Sequence, residues 1–136
     1  MRKMILAFVS ILLTKGIFGQ ELSCSDFKEG AFYIEANLNG RIMRYDIIRY
    51  PDFQEEFYEN MDPMKVGLKW MDDCSYVITL DHTQPNFSEK ERLINEGGGI
   101  KVYLMEIIDN CYDFKSSFTM NSETYWFKGK ICKDRI

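Results

Sequence analysis

Asn39-Gly40 sits inside a stretch whose apolar residues recur at every second position, and no other feature restricts the fold as much. Both central positions of a type I′ turn need positive φ, which Asn and Gly tolerate best. A two-residue turn at this place pairs residues whose numbers sum to 79. Phe32 then faces Ile47, Ile34 faces Tyr45 and Ala36 faces Met43 on one side. On the other side Glu35 meets Arg44 and Tyr33 meets Asp46. Apolar pairs on one face and opposite charges on the other are what hold neighbouring strands together. Sliding the register by one residue scrambles both faces.

The C-terminal third gives an independent check. A two-residue turn centred on Asn121-Ser122 pairs numbers that sum to 243, as 111 and 132 do. Cys111 and Cys132 then lie directly opposite, at a separation a disulfide bridges. The same register sets Phe118 against Tyr125, Phe114 against Gly129 and Tyr112 against Ile131 on one face. Asp113 falls beside Lys130 on the other face, with the cysteines, and Lys115 faces Lys128 unfavourably. The chain has 4 cysteines and no C-x-x-C spacing for a metal, so two disulfides are expected. Cys24 and Cys74 form the second pair by subtraction. Closing the longer loop, that bridge stabilises by roughly 4 kcal/mol.

Between the two hairpins the alternation continues. Val66, Leu68 and Trp70 alternate with polar or small residues, Asp72-Asp73 turns the chain, and Tyr76, Ile78 and Leu80 alternate back. Phe53 to Asn60 reads as a weaker strand, acidic at Glu55, Glu56 and Glu59, and is expected at an edge or a frayed end. Ser88-Glu89-Lys90-Glu91 is a capping box, Leu93 and Ile94 offer a small apolar face, and Gly97 is a stop, which predicts one short helix near 88–96. Gly97-Gly98-Gly99 follows that helix and reads as a stop plus a flexible link. Ile100 to Ile108 is apolar on both faces, as in a central strand covered on two sides. The expected fold is therefore all-β: about eight antiparallel strands in a meander, forming a curled sheet or a small lipocalin-like barrel. Closure removes sticky edges. A flat sheet with the helix across one face is the alternative.

Arg2 and Lys3, the apolar run Met4 to Leu13 and the small residue before Gln20 have the layout of a signal peptide. Residues 1–19 are read as that peptide, cleaved after Gly19, and 20–136 as a single β-rich domain. An apolar run of roughly ten residues is too short for a permanent membrane span. Lipid attachment at Cys24 is disfavoured, because Glu21-Leu22-Ser23 departs from the leucine-led box such processing needs. Without Arg2, Lys3 and Lys15 the 17 basic residues fall to 14 against 21 acidic ones, a net charge of −7. Such a domain repels nucleic-acid backbones and anionic lipid surfaces, so no nucleic-acid partner is expected. Leader and cysteines together imply a secreted or periplasmic protein.

Chemistry-bearing motifs are few. The single histidine, His82, lies in Asp81-His82-Thr83 at a strand end, and the cysteines that could act as nucleophiles are assigned to bridges. Glu55, Glu56, Glu59 and Asp62, with Asp72-Asp73, lack the spacing of a calcium loop and read as a solvated acidic edge. No metal site and no cofactor are expected. Asn86-Phe87-Ser88 fits a glycosylation triplet, but Ser88 is already explained as a helix cap. Aromatic residues are the remaining lead. Phe32, Tyr45, Trp70, Tyr76, Tyr112 and Phe114, with Tyr103, Phe118, Tyr125 and Phe127, could line a barrel mouth that takes a small apolar ligand. In a small barrel such side chains more often fill the middle.

Cys24-x-Asp26-Phe27-Lys28-x-Gly30-x-Phe32, then Lys69-Trp70-x-x-Asp73-Cys74-x-Tyr76, then Ile100-Lys101-Val102 leading to Glu106-Ile107, together resemble a family of short exported proteins. That family occurs in marine and gut relatives of the flavobacteria, and some members carry the label "DNA topoisomerase IV". The resemblance spans most of the mature chain and implies a bridge between Cys24 and Cys74, with Cys111 and Cys132 as additions. It implies no catalytic residue. An acidic chain of this length, read as exported, has no room for an ATPase, a DNA gate and a supported cleavage tyrosine.

The functional expectation is an exported, non-catalytic β-domain that works by binding a small hydrophobic ligand or a protein partner, or by structural contact. A ligand carrier requires a cavity of at least roughly 300 Å³. An interaction protein requires an exposed apolar patch or an unpaired edge, expected at Phe53 to Tyr58. The alternative, a secreted hydrolytic enzyme, requires His82 or two carboxylates to converge in a cleft.

Overall fold

Both hairpin registers are present in the computed structural model, which describes residues 21–133. The signal-peptide reading of 1–19 lies outside the described residues. After a short 3₁₀ turn at Cys24–Phe27 come β1 (Gly30–Leu38), β2 (Arg41–Arg49), β3 (Phe53–Phe57), β4 (Met64–Asp72) and β5 (Ser75–Leu80). Helix α1 (Glu89–Glu96) leads into β6 (Ile100–Ile108), β7 (Cys111–Met120) and β8 (Glu123–Lys133). Each strand pairs antiparallel with the next, and β8 returns to β1 to close an eight-stranded barrel. Closure rules out both the flat sheet and the open curl.

Turn chemistry fixes the two long ribbons. Asn39 and Gly40 both take positive φ, 53° and 81°, and Asn121 and Ser122 do the same at 50° and 67°. Phe32 therefore pairs with Ile47, and both are buried inside. Outside, the Glu35 carboxylate lies 3.6 Å from Arg44 and 3.3 Å from Lys130. The Lys130 ammonium thus goes to Glu35 rather than to Asp113 opposite it, which ties β8 to β1 across the closure. Lys115, opposite Lys128, turns its ammonium over the Trp126 ring at 5.3 Å.

Two readings of single strands need correction. β3 is no edge: Gln54 to Phe57 pair with Arg49 to Asp46, and Phe53 to Glu56 pair with Gly67 to Met64. β6 is not covered on two sides. A bulge between Leu104 and Glu106 leaves Met105 outside and shifts the alternation by one residue, so Val102, Leu104 and Ile107 all serve the interior. Continuous apolar sequence is here an alternation with a slip in it.

α1 begins with half of the expected capping box: Ser88 Oγ accepts from the Glu91 backbone N–H at 3.2 Å, while the Glu91 side chain accepts from the Ser88 hydroxyl at 3.1 Å. Ile94 is buried, and the Asn95 side chain bonds both the N–H and the carbonyl of Leu80, at 2.9 and 2.7 Å. Of the glycines that follow, Gly97 and Gly99 make a tight fit rather than a loose link, with Gly98 open between them. A Cβ on Gly97 would run into the Thr119 carbonyl, and one on Gly99 into that of Ile78.

Antiparallel order sorts the connections to two poles. The base gathers the 3₁₀ turn with the β2–β3, β4–β5 and β6–β7 turns. Both disulfides lie there, Cys24–Cys74 and Cys111–Cys132. Bridged cysteines belong to an oxidising compartment. Phe27 seals the base: fully buried, it packs 5.4 Å from Phe32 and 5.0 Å, edge-on, from Tyr112. The rim carries Asn39-Gly40, the 58–63 loop, the segment holding α1, and Asn121-Ser122.

Candidate functional site

The parity that sends Ile47 inward also sends Tyr45 and Arg49 inward, and it propagates through the next turn. Arg49 faces Gln54 and Ile47 faces Glu56, so Gln54 and Glu56 point into the barrel. Gln54 is fully buried, Arg49 is 2% exposed and Glu56 is 7% exposed. This polar line runs through a mainly apolar interior.

Toward the base the interior is packed. The Arg49 guanidinium donates from Nε to Gln54 Oε1 and from Nη1 to the Phe27 carbonyl, both at 2.9 Å. It lies 4.2 Å over the Tyr76 ring and 5.7 Å from that of Trp70. Aromatic faces offer a buried cation electrostatic compensation where no carboxylate is paired with it. Arg49 Nη2, Gln54 Nε2 and Trp70 Nε1 have no hydrogen-bond partner among the described residues.

Toward the rim the interior is hollow. A cavity of about 150 Å³ receives at least one side chain from every strand or from the residue following it. Its walls are Ile34, Ile78, Leu80, Val102, Phe114 and Phe127, with Met64 and Ile100. Its polar groups are Tyr45, Glu56, Tyr58, Tyr76 and Ser116, and Ser116 Oγ donates to the Lys101 carbonyl at 3.0 Å. Tyr58 Oη donates to Glu56 Oε2 at 2.9 Å, and the Tyr58 ring stacks on Tyr45 at 4.6 Å.

Burial sets the protonation of this cluster. It pushes the Glu56 carboxyl up, while the Tyr58 hydrogen bond and the Arg49 charge pull it partly back. It also holds the Tyr45 and Tyr58 phenols well above their usual range, with the Glu56 charge adding to the shift in both. Low local dielectric favours the neutral form of each. The result is a hydrogen-bonding patch that resists carrying charge.

The aromatic set from the sequence separates into groups. Tyr45, Tyr76 and Phe114 meet at the cavity, joined by Phe127. Phe32 and Tyr112 belong to the packed base with Phe27, and Trp70 lies half-buried beneath Arg49 and Lys28. Tyr103 stacks on Trp126 at 6.4 Å outside the barrel, and Phe118 stacks on Tyr125 at 5.3 Å near the tip of the β7–β8 ribbon. At about 150 Å³ the cavity is half the roughly 300 Å³ expected of a ligand carrier, so it takes no more than about one ring, yet the middle is not filled either.

Glu56 corrects the picture of a solvated acidic edge. Glu59, Asp62, Asp72 and Asp73 are exposed, but Glu56 is inside. Among the described residues no three His, Cys, Asp or Glu side chains are arranged to hold a metal ion. His82 is exposed beside a shallow outer groove formed with Asp52, Lys65, Thr79 and Asp81. The Asp81 carboxylate accepts from the Thr83 backbone and hydroxyl, at 2.9 and 2.7 Å, which also lowers its pKa.

Fold and cavity together define a small antiparallel barrel, sealed at one pole and hollow toward the other. In comparison with known proteins, no family model matches the chain and no curated protein is similar to it. Among the described residues no helix is long and apolar enough to cross a membrane.

Proposed function

We propose that this chain is an exported, non-catalytic binding protein that holds a small, mainly apolar molecule in the rim half of its barrel. The observation that carries this reading is the cavity of about 150 Å³, walled by aliphatic and aromatic side chains from all around the barrel. An apolar cavity of about 150 Å³ is enough for a benzene ring. The basic-then-apolar leader and the two disulfides support export to the periplasm or the medium, with cleavage after Gly19. His82 stands outside the cavity, beside an Asp81 engaged with Thr83, and this favours binding over the hydrolytic alternative.

Methyl NMR of the oxidised protein titrated with benzene tests the reading. Saturable shifts are expected at Ile34, Ile78, Leu80 and Val102 and none at the outward-facing Ile108. Unchanged cavity methyls at saturating benzene would overturn it.

A further inference from the structure

We infer that the cavity selects an uncharged, phenol-sized ring whose hydroxyl group hydrogen-bonds the Glu56–Tyr58 pair. The inference rests on the binding reading above and adds the chemical class of the ligand. Volume limits the ligand to about one six-membered ring with a small substituent. Ser116 is bonded to backbone and the Tyr76 ring lies under Arg49, whereas Tyr45, Glu56 and Tyr58 meet at one place in the wall. Tyr58 engages Glu56 Oε2, and among the described residues no other side chain donates to Glu56 at hydrogen-bond distance, Gln54 Nε2 being without a partner. One carboxyl oxygen is therefore available to a guest.

A hydroxyl suits this oxygen in either protonation state. It donates to a carboxylate and accepts from a carboxylic acid. Charged guests fit poorly. An anion would lose its hydration in this low-dielectric interior, and would lie beside a second negative charge wherever Glu56 is ionised. A cation would have to ionise the buried Glu56 against the desolvation that favours its neutral form, in a barrel that already buries the Arg49 charge diagonal to it across the β2–β3 pair. Five ring-bearing side chains, Tyr45, Tyr58, Tyr76, Phe114 and Phe127, favour a flat guest over a branched one.

Calorimetric or NMR titration of the oxidised protein at neutral pH with benzene, phenol and two size-matched pairs tests the inference. The pairs are benzyl alcohol with benzylammonium and benzamide with benzoate. Phenol should bind about 3–10-fold tighter than benzene, the range one net hydrogen bond supplies. Each charged member should bind at least about tenfold weaker than its neutral match. Glu56→Leu should erase the phenol preference, whereas Glu56→Gln, which retains an acceptor and a donor, should keep it. Should Glu56→Leu fail to fold, the wild-type ratios and Glu56→Gln still decide between the outcomes. Equal affinity for phenol and benzene, or a charged probe matching its neutral partner, would overturn the inference and leave the binding reading intact. Binding of neither benzene nor phenol would overturn both.

Discussion

Glu56 and Arg49 show how much a single side chain can owe to its neighbours' parity. An acidic residue in an acidic stretch ordinarily faces water, and the run Glu55-Glu56 invites that reading. The information against it was already in the first hairpin. Once Ile47 is inside, Arg49 is inside, and a short turn passes the same orientation to Gln54 and Glu56. Because burial raises the Glu56 pKa, the folded chain holds that proton more tightly than the unfolded chain does. Its contribution to stability is most favourable below the ordinary carboxyl range, and is lost as pH rises through the folded value. Glu56→Gln keeps the shape and the acceptor for Tyr58 but has no charge to desolvate. The expected outcome is a higher Tm than wild type at pH 7 and a gap that shrinks toward zero as the pH is lowered to 4, followed by circular dichroism. Arg49→Ala removes a buried side chain and orphans the Phe27 carbonyl and Gln54 Oε1. Urea unfolding should report a loss of about 3 kcal/mol.

At the scale of elements, the ribbons were legible where turn chemistry and cross-strand pairing agreed. The numerical match of Cys111 with Cys132 depends on the Asn121-Ser122 turn being two residues long, and it is. The bulges at Met71 and Met105 were not legible. One inserted residue leaves no mark except an exposed methionine, and it made β6 look two-sided. Nor did the sequence reveal that Gly97 and Gly99 are pressed against neighbouring carbonyls, because close approach is a property of what lies opposite. Gly129 has the same character. A Cβ there would meet the Phe114 ring and the Glu35 carbonyl, at the place where β8 lies between β1 and β7. Gly129→Ala should therefore destabilise by about 2 kcal/mol in chemical denaturation, with methyl shifts concentrated at Ile34 and Ile131.

For the molecule as a whole, the eight-strand meander was legible because each strand pairs with its neighbour in the chain. Closure was expected in outline, since an open sheet would leave two bare edges. The cavity was legible only in part: Tyr45, Tyr76 and Phe114 stood among the aromatic candidates, but its volume and the Glu56–Tyr58 pair in its wall are what side chains from eight strands leave over, and no window of sequence contains that. The two bridges differ in reach: Cys24–Cys74 spans 50 residues and Cys111–Cys132 spans 21. On loop-closure grounds, replacing the first pair by serines should lower stability by about 4 kcal/mol and the second by about 3, read from denaturant midpoints. Losing the first should also raise the solvent exposure of Trp70, since it frees the turn that carries Phe27 and Lys28. Equal losses from both pairs would count against the loop-length argument. The arrangement of the poles has one more consequence. The described chain enters at residue 21 and departs at residue 133 on the sealed side, so a fusion partner, an affinity handle or a surface tether attached at either place would leave the hollow side facing away from its support.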